Sequence, residues 1–401
     1  MVPQHHFYLP VMSKVATGLE VFREGRWKEF KGCRLGLLSN QASVDGNLTP
    51  ARDVISTLLP GDMKVLFGPQ HGYRGEEQDN MVETNHSVDT DLQIPVYSLY
   101  GKYREPLPEM LDLLDVLIVD LQDVGTRVYT FAATMLHCLK KAATTGKKVV
   151  ILDRPNPIGG EIVEGNLLKP ELYSFVGPYS LPMRHGLTMG EMAKIFNHGL
   201  HIESDLDIIP MRGWSRNMVW KDTGLRWIMP SPNMPLDATA HVYPGQVLWE
   251  GTNISEGRGT CRPFEILGAP FLNTNRIKKS LVPRASQGCH LQDIAYRPTF
   301  HKWKGEICRG FMIHILDYSK YRPFFTSLAL LKAIMETHRQ YFRWKEPPYE
   351  YEYEKMPFDL ILGNSEWRRA MEKGEYVLDE DYWLPELKNY DEWRKAYLLY
   401  G

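Results

Sequence analysis

The chain lacks the short signatures that usually identify a chemistry at sight. Its first apolar run is followed by Asn40-Gln41-Ala42-Ser43-Val44-Asp45-Gly46, with neither G-x-G-x-x-G nor a phosphate loop ending in Gly-Lys-Ser or Gly-Lys-Thr, which argues against dinucleotide and nucleoside triphosphate binding. No G-x-S-x-G elbow supports a serine hydrolase, and His-Glu-x-x-His is absent. The histidines lack ligand spacing, and no metal site is expected. The five cysteines are odd in number and scattered, with no C-x-x-C pair, which argues against a disulfide framework and a structural zinc site and fits a reducing compartment. No segment approaches the roughly 18 consecutive apolar residues of a membrane span, and Met1 to Val21 holds no continuous hydrophobic stretch. A cytoplasmic address and no membrane partner are therefore expected. Neither sign of charge dominates, with 47 basic against 49 acidic residues and no basic stripe, so no nucleic-acid partner is expected.

What is present is a rhythm. From about residue 18 to residue 160, β-like runs alternate with helix-like ones, the mark of a parallel sheet covered on both faces. Strands are expected at 34–39, 64–67, 95–99, 115–119 and 147–152, and helices at 49–59, 105–114 and 130–145, the last closed by Gly146. Beyond Gly160 the pattern turns to proline-rich loops, scattered aromatics and a helix at 188–197. A chain of 401 residues exceeds what one core usually fills. The expected fold is α/β: a Rossmann-like, doubly wound parallel-sheet lobe over 15–160, a smaller α+β lobe over 161–401, and a cleft between them. Oligomeric state is not legible.

Three of the apolar runs end in polar, glycine-flanked clusters: Gln70-His71-Gly72-Tyr73-Arg74-Gly75-Glu76-Glu77, Asp120-Leu121-Gln122-Asp123-Val124-Gly125-Thr126-Arg127 and Asp153-Arg154-Pro155-Asn156. The carboxyl ends of parallel strands share one edge of a sheet, so these clusters should converge on one crevice. Two further loop motifs, Pro230-Ser231-Pro232-Asn233-Met234-Pro235 and Glu250-Gly251-Thr252-Asn253-Ile254-Ser255-Glu256-Gly257-Arg258, stand in the second lobe. Carboxylates beside amides and guanidinium groups are the equipment of sugar chemistry, in which one acid protonates the leaving oxygen and a second group supports an oxocarbenium-like centre. Arginine also reads carboxylated ligands in bidentate fashion.

Taken in order, these motifs together with Arg184-His185-Gly186-Leu187-Thr188 resemble the DUF1343 family over about residues 18–401. That family includes exo-acting β-N-acetylmuramidases of peptidoglycan turnover, grouped as glycoside hydrolase family 171. The resemblance implies a Rossmann-like N-terminal lobe, a smaller C-terminal lobe, a cleft that removes N-acetylmuramic acid from a non-reducing end, and no cofactor. The implied partner is a small carbohydrate or muropeptide. One departure stands out. The family's first motif reads Pro-Glu-His-Gly, and here Gln70 replaces the glutamate, whose amide has no proton to donate.

Three readings of Gln70 are open: another carboxylate supplies the acid, the substrate or mechanism differs (a hydrolase of another carboxylated metabolite), or the protein binds sugar without hydrolysing it. The acids considered are Glu77, Glu76 and Glu256, with Asp123 or Glu256 supporting the anomeric centre or the acetamido group and Glu164 available from across the cleft. Gln70, His71, Arg74, Gln122, Arg127, Asp153, Arg154, Asn156, Arg184, His185, Asn233, Asn253 and Arg258 are the candidate ligand contacts. Several have a structural alternative: a strand-end aspartate caps a helix, Asp153 and Arg154 clamp each other, and Glu256 and Arg258 brace their own loop.

Overall fold

The computed structural model of the chain describes residues 15–79, 81–379 and 383–401. Its centre is a seven-stranded sheet of β1 (Leu35–Ser39), β2 (Met63–Gly68), β3 (Ser87–Asp89), β4 (Ile94–Ser98), β5 (Val116–Asp120), β6 (Lys148–Leu152) and a later strand, Leu206–Ile209. Every pairing is parallel except that of β3 on β4 at one edge.

The strands read as unbroken apolar runs because both faces are covered. Alternate residues part to opposite sides: Leu117, Val119, Val149 and Ile151 join one core cluster, and Val116, Ile118, Val150 and Leu152 the other. The helices Gly18–Glu24 and Ala51–Leu58 bury Leu19, Phe22 and Ile55 against the second cluster. Phe131–Thr145 and Met189–Gly199 bury Leu136, Leu139, Met192 and Phe196 against the first.

One expectation is corrected here. The helix expected over 105–114 shrinks to Pro108–Leu111, because Leu107 is held extended before Pro108 and the next strand begins at Val116. Beyond residue 160 the chain contributes one more strand to the same sheet. The hairpin of β7 (Glu164–Leu167) and β8 (Pro182–Arg184) intervenes, the helix Met189–Gly199 crosses over, and β9 (Leu206–Ile209) then pairs with β6. At four residues, β9 was too short to stand out as an apolar run.

The second lobe carries a three-stranded antiparallel sheet in the order β10 (Ile266–Ala269), β12 (Cys308–Ile315), β11 (Cys289–Tyr296). The helix Asp237–Gln246 packs on Pro323–His338 through Gly245, where a Cβ would stand 1.9 Å from the Pro323 carbonyl oxygen. One apolar cluster runs without a break from Phe131 of the first lobe to Tyr243, Phe264 and Phe324 of the second. The lobes therefore share a core. The C-terminal tail returns to the sheet, where the Tyr400 hydroxyl donates to Asp153 just beyond β6.

Candidate active site

The chain leaves β1 in one direction through β2 and β4, then resumes on its other side with β5. This order puts the switch point, where open α/β sheets usually bind ligands, between β1 and β5. In this protein the gap is filled by the protein itself. Asp120 and Arg154 form a buried two-point ion pair at 2.5 and 2.8 Å, Ser43 donates to the Asp120 carbonyl, and Asn40 reaches the Pro230 carbonyl. The open polar cavity lies further along the same edge, beyond β2. It is lined by Gln70, His71, Tyr129 and Thr130 from the first lobe and by Ser231, Asn233, Tyr243, Glu250, Arg258, Phe264, Tyr349 and Glu350 from the rest of the chain.

After β2 the chain turns sharply at His71 and Gly72, both with positive φ. Gly72 has a φ of 86°, a left-handed backbone that strains any residue with a Cβ, so glycine is favoured there. The loop then ties itself shut: Glu77 N–H donates to the His71 carbonyl, and His71 Nδ1 donates back to the Glu77 carbonyl at 2.7 Å. Because a carbonyl can only accept, the proton sits on Nδ1 and leaves Nε2 an acceptor. Burial lowers the His71 pKa to about 4, so the ring is neutral in the physiological range.

Gln70 is 4% exposed and its amide is fully used. Thr130 Oγ1 donates to Oε1 at 2.5 Å, while Nε2 donates to the Tyr100 hydroxyl at 3.0 Å and to Glu350 Oε1 at 3.2 Å. Tyr100 in turn donates to Glu350 Oε2 at 2.5 Å. Amide, phenol and carboxyl thus close a triangle, two corners from the sheet edge and one from the distant C-terminal chain.

Glu350 is presented by an unusual turn. Tyr349 and Glu352 exchange both backbone hydrogen bonds, and the two residues between them, Glu350 and Tyr351, have φ of 47° and 66°. Such a two-residue turn favours Asn and Gly, and each non-glycine residue there costs on the order of 1–3 kcal/mol. Side-chain anchors offset that cost: Tyr349 donates to Glu250 at 2.5 Å, Glu350 meets Tyr100 and Gln70, and the Arg104 guanidinium lies 3.2 Å over the Tyr351 ring. Burial raises the Glu350 pKa above the ordinary glutamate value, partly countered by the Tyr100 hydroxyl.

The opposite wall is ionic. Arg258 donates to Glu250 at 2.7 Å and lies 3.3 Å from Glu256, which Lys302 and His301 also approach at 2.8 and 3.2 Å. Burial works to raise the Glu256 pKa, but Lys302, His301 and Arg258 together hold it well below the usual carboxylate range. Burial likewise opposes ionisation of Glu250, and Arg258 and the Tyr349 hydroxyl together outweigh it. Both acids are therefore charged, whereas Glu350 is the carboxyl biased towards keeping a proton.

Of the residues expected from sequence, Gln70, His71, Asn233 and Arg258 line the cavity, Asn233 donating to the Gln78 carbonyl. The structure does not bring the rest there. Glu76 folds back on Arg74 N–H and is exposed, as is Arg74, while Glu77 is engaged through its backbone. Arg127 is spent on the carbonyls of Asn166, Leu181 and Ile361. Asp123 accepts from Gly125 N–H and lies 3.6 Å from His185, and Gln122 binds the Asp123 and Pro155 carbonyls. Asp153 accepts from Thr188 and Gly190, Asn156 binds Leu187, Glu164 accepts from Phe325 N–H, and Arg184 donates to Ile158. Asn253 clamps Tyr341 and Arg343, steadying the segment that leads to Tyr349. The sequence reading passed over Glu350 and Tyr100. The signal available for Glu350 was the alternation Tyr349-Glu350-Tyr351-Glu352-Tyr353-Glu354 after two prolines.

The cavity measures about 30 Å³, room for little more than a water, against roughly 300–1,000 Å³ for ordinary ligand sites. A cleft of about 650 Å³ beside Tyr179, Trp367 and Trp393 is roomier, but its acids Glu366 and Glu386 are exposed and Glu366 is paired with Lys169. It lacks a desolvated acid. Among the described residues no group of three or more His, Cys, Asp or Glu side chains is placed to hold a metal ion.

Comparison with known proteins gives a consistent picture. Residues 35–238 match the family model described as exo-β-N-acetylmuramidase NamZ, N-terminal, and residues 241–400 match its C-terminal counterpart. The chain is 39% identical over 388 residues to the peptidoglycan β-N-acetylmuramidase NamZ of Bacillus subtilis (strain 168), covering 96% of this chain and 92% of that protein. Two crystal structures of DUF1343 family proteins from Bacteroides fragilis NCTC 9343 are similar in fold. One superposes with a TM-score of 0.86 at 30% identity, covering 97% of this chain and 99% of the other. The second gives 0.74 at 26% identity, covering 96% and 99%.

Proposed function

The chain belongs to the exo-β-N-acetylmuramidase NamZ family, and from that membership we infer that it is a glycoside hydrolase releasing N-acetylmuramic acid from the non-reducing end of peptidoglycan fragments. The observation that supports this reading in the chain itself is the inter-lobe cavity, which two buried carboxyl groups line: Glu350, held by Gln70 and Tyr100, and Glu250, paired with Arg258, behind which Glu256 is buried outside the cavity. Groups of this kind, one biased towards its proton and another charged, serve glycosidic cleavage by protonating the leaving oxygen and supporting the positive centre left behind.

Substrate recognition follows from the other wall groups. Arg258 is the guanidinium at the cavity among the described residues, and it reads the lactyl carboxylate that distinguishes a muramic from a glucosamine unit. Asn233, Ser231 and the His71 Nε2 acceptor meet hydroxyl and acetamido groups, and Tyr129 and Tyr243 offer ring faces. A cytoplasmic address, drawn from the sequence, would make small fragments the substrate. Among the described residues no helix is long and apolar enough to cross a membrane.

The test is chromophore release from para-nitrophenyl β-N-acetylmuramide, with the β-N-acetylglucosaminide as comparison. Turnover that favours the muramide supports the reading. Gln70 favours one rival, a sugar sensor, which predicts calorimetric binding of the muramide without turnover. Absence of both overturns either account.

A further inference from the structure

We infer that Glu350 is the residue that protonates the leaving glycosidic oxygen, with Gln70 and Tyr100 as positioning residues that fix its carboxyl at the cavity wall. The assignment rests on the glycosidase reading above and specifies its acid. Gln70 Nε2 and the Tyr100 hydroxyl take one lone pair from each Glu350 oxygen, at 3.2 and 2.5 Å. Each oxygen keeps a second site, and the acid proton occupies one of them. Two anchors on one carboxyl remove its rotational freedom, which is how a side chain is held in a productive orientation. The strained turn at Glu350 and Tyr351 points the same way, because left-handed backbone at two successive non-glycine residues persists where the surroundings enforce it.

Elimination among the neighbouring acids agrees. Glu256 is clamped by Lys302, His301 and Arg258, and Glu250 by Arg258 and Tyr349, so neither has a proton to give. The groups facing Glu350 are Tyr100 and Gln70 from the sheet edge, Glu250 and Arg258 from the ionic wall, and Tyr243, Tyr349 and Tyr351. Arg258 is the cation in this set, and Glu250 neutralises it. Burial and the Glu250 charge both favour the protonated carboxyl. Gln70 thus gives up the acid role that a glutamate there would take and braces the acid instead.

In the step itself the Glu350 proton bonds to the glycosidic oxygen. The C1–O bond breaks with its electron pair remaining on that oxygen, which departs as an alcohol. Water adds at C1, and the proton it releases restores the Glu350 carboxyl through solvent.

The experiment compares the wild type with Glu350→Gln on two substrates that differ in leaving group: para-nitrophenyl β-N-acetylmuramide and the β-1,4-linked N-acetylmuramyl–N-acetylglucosamine disaccharide. A nitrophenolate departs with little help, whereas a sugar alcohol needs a proton. The variant is expected to lose about 10²–10⁴-fold in kcat/KM on the disaccharide, and far less on the aryl glycoside, with an unchanged thermal transition at neutral pH or a higher one. Tyr100→Phe, which loosens the acid without removing it, should move the alkaline limb of the pH profile upward. Equal losses on both substrates, or no loss on the disaccharide, would overturn the assignment while leaving the glycosidase reading intact. A wild type silent on both substrates would instead defeat that reading, and the assignment with it.

Discussion

Gln70 and Glu350 stand 280 positions apart in the chain and meet side chain to side chain at 3.2 Å, with Tyr100 bonded to both. The amide and phenol donors favour the charged carboxylate, and burial, the larger influence, favours the neutral acid. A second carboxyl at the same place would force the two to share a proton.

That contrast gives the first prediction. Gln70→Glu brings two acids within hydrogen-bond reach, where both cannot ionise together and the pair titrates in two coupled steps. The alkaline limb of kcat/KM should move up by about one pH unit or more, and a profile superposable on the wild type would contradict the account.

Stability should respond to Glu350 in the opposite sense. Its folded pKa is raised, chiefly by burial. The protonated group therefore favours the folded state below the unfolded value near 4.5, and that contribution is lost as pH rises through the folded value. Glu350→Gln cannot ionise, so its melting temperature should equal or exceed that of the wild type at pH 8. The gap should close or reverse towards pH 5. Parallel melting curves across that range would count against a buried, proton-retaining carboxyl.

Glu256 should behave as a strut. Removing its fully buried charge leaves the partly exposed Lys302 and part of Arg258 uncompensated, which should cost up to about 3 kcal/mol once solvent screening at Lys302 is allowed for. Glu256→Gln should show that loss in denaturant unfolding. Full stability with lost turnover would make Glu256 a direct participant instead.

Arg258→Lys keeps the charge but loses the planar fork that reads a carboxylate in two-point fashion. Discrimination between muramide and glucosaminide should fall by about tenfold or more, mostly through KM, which one strong charge-assisted contact justifies. An unchanged ratio would place the lactyl group elsewhere.

The sheet was largely legible because a strand buried on both faces must be apolar throughout. Val116–Val119 and Val149–Leu152 announce themselves in that way. Leu206–Ile209 does not, since four residues at a sheet edge with Asp207 among them carry little pattern. The near half of the site was legible at Gln70 and His71, where a strand ends in a tight glycine turn. Asp120 and Arg154 carry the same strand-end signal but spend it on each other, because a carboxylate there serves a ligand or the fold equally well until its partner is known. Glu350 was hidden for two reasons. Its partners lie 250 and 280 residues away, and the turn that aims it has no glycine to mark the left-handed backbone.

The most direct measurement is kcat/KM on the muramyl disaccharide at neutral pH for the wild type, Glu350→Gln and Gln70→Glu side by side. The account predicts that the wild type and Gln70→Glu both turn over, the pair of carboxyl groups in the latter holding one proton between them, and that Glu350→Gln falls by at least a hundredfold. A silent wild type beside an active Gln70→Glu would contradict it, because the amide would then have disabled the site rather than braced its acid.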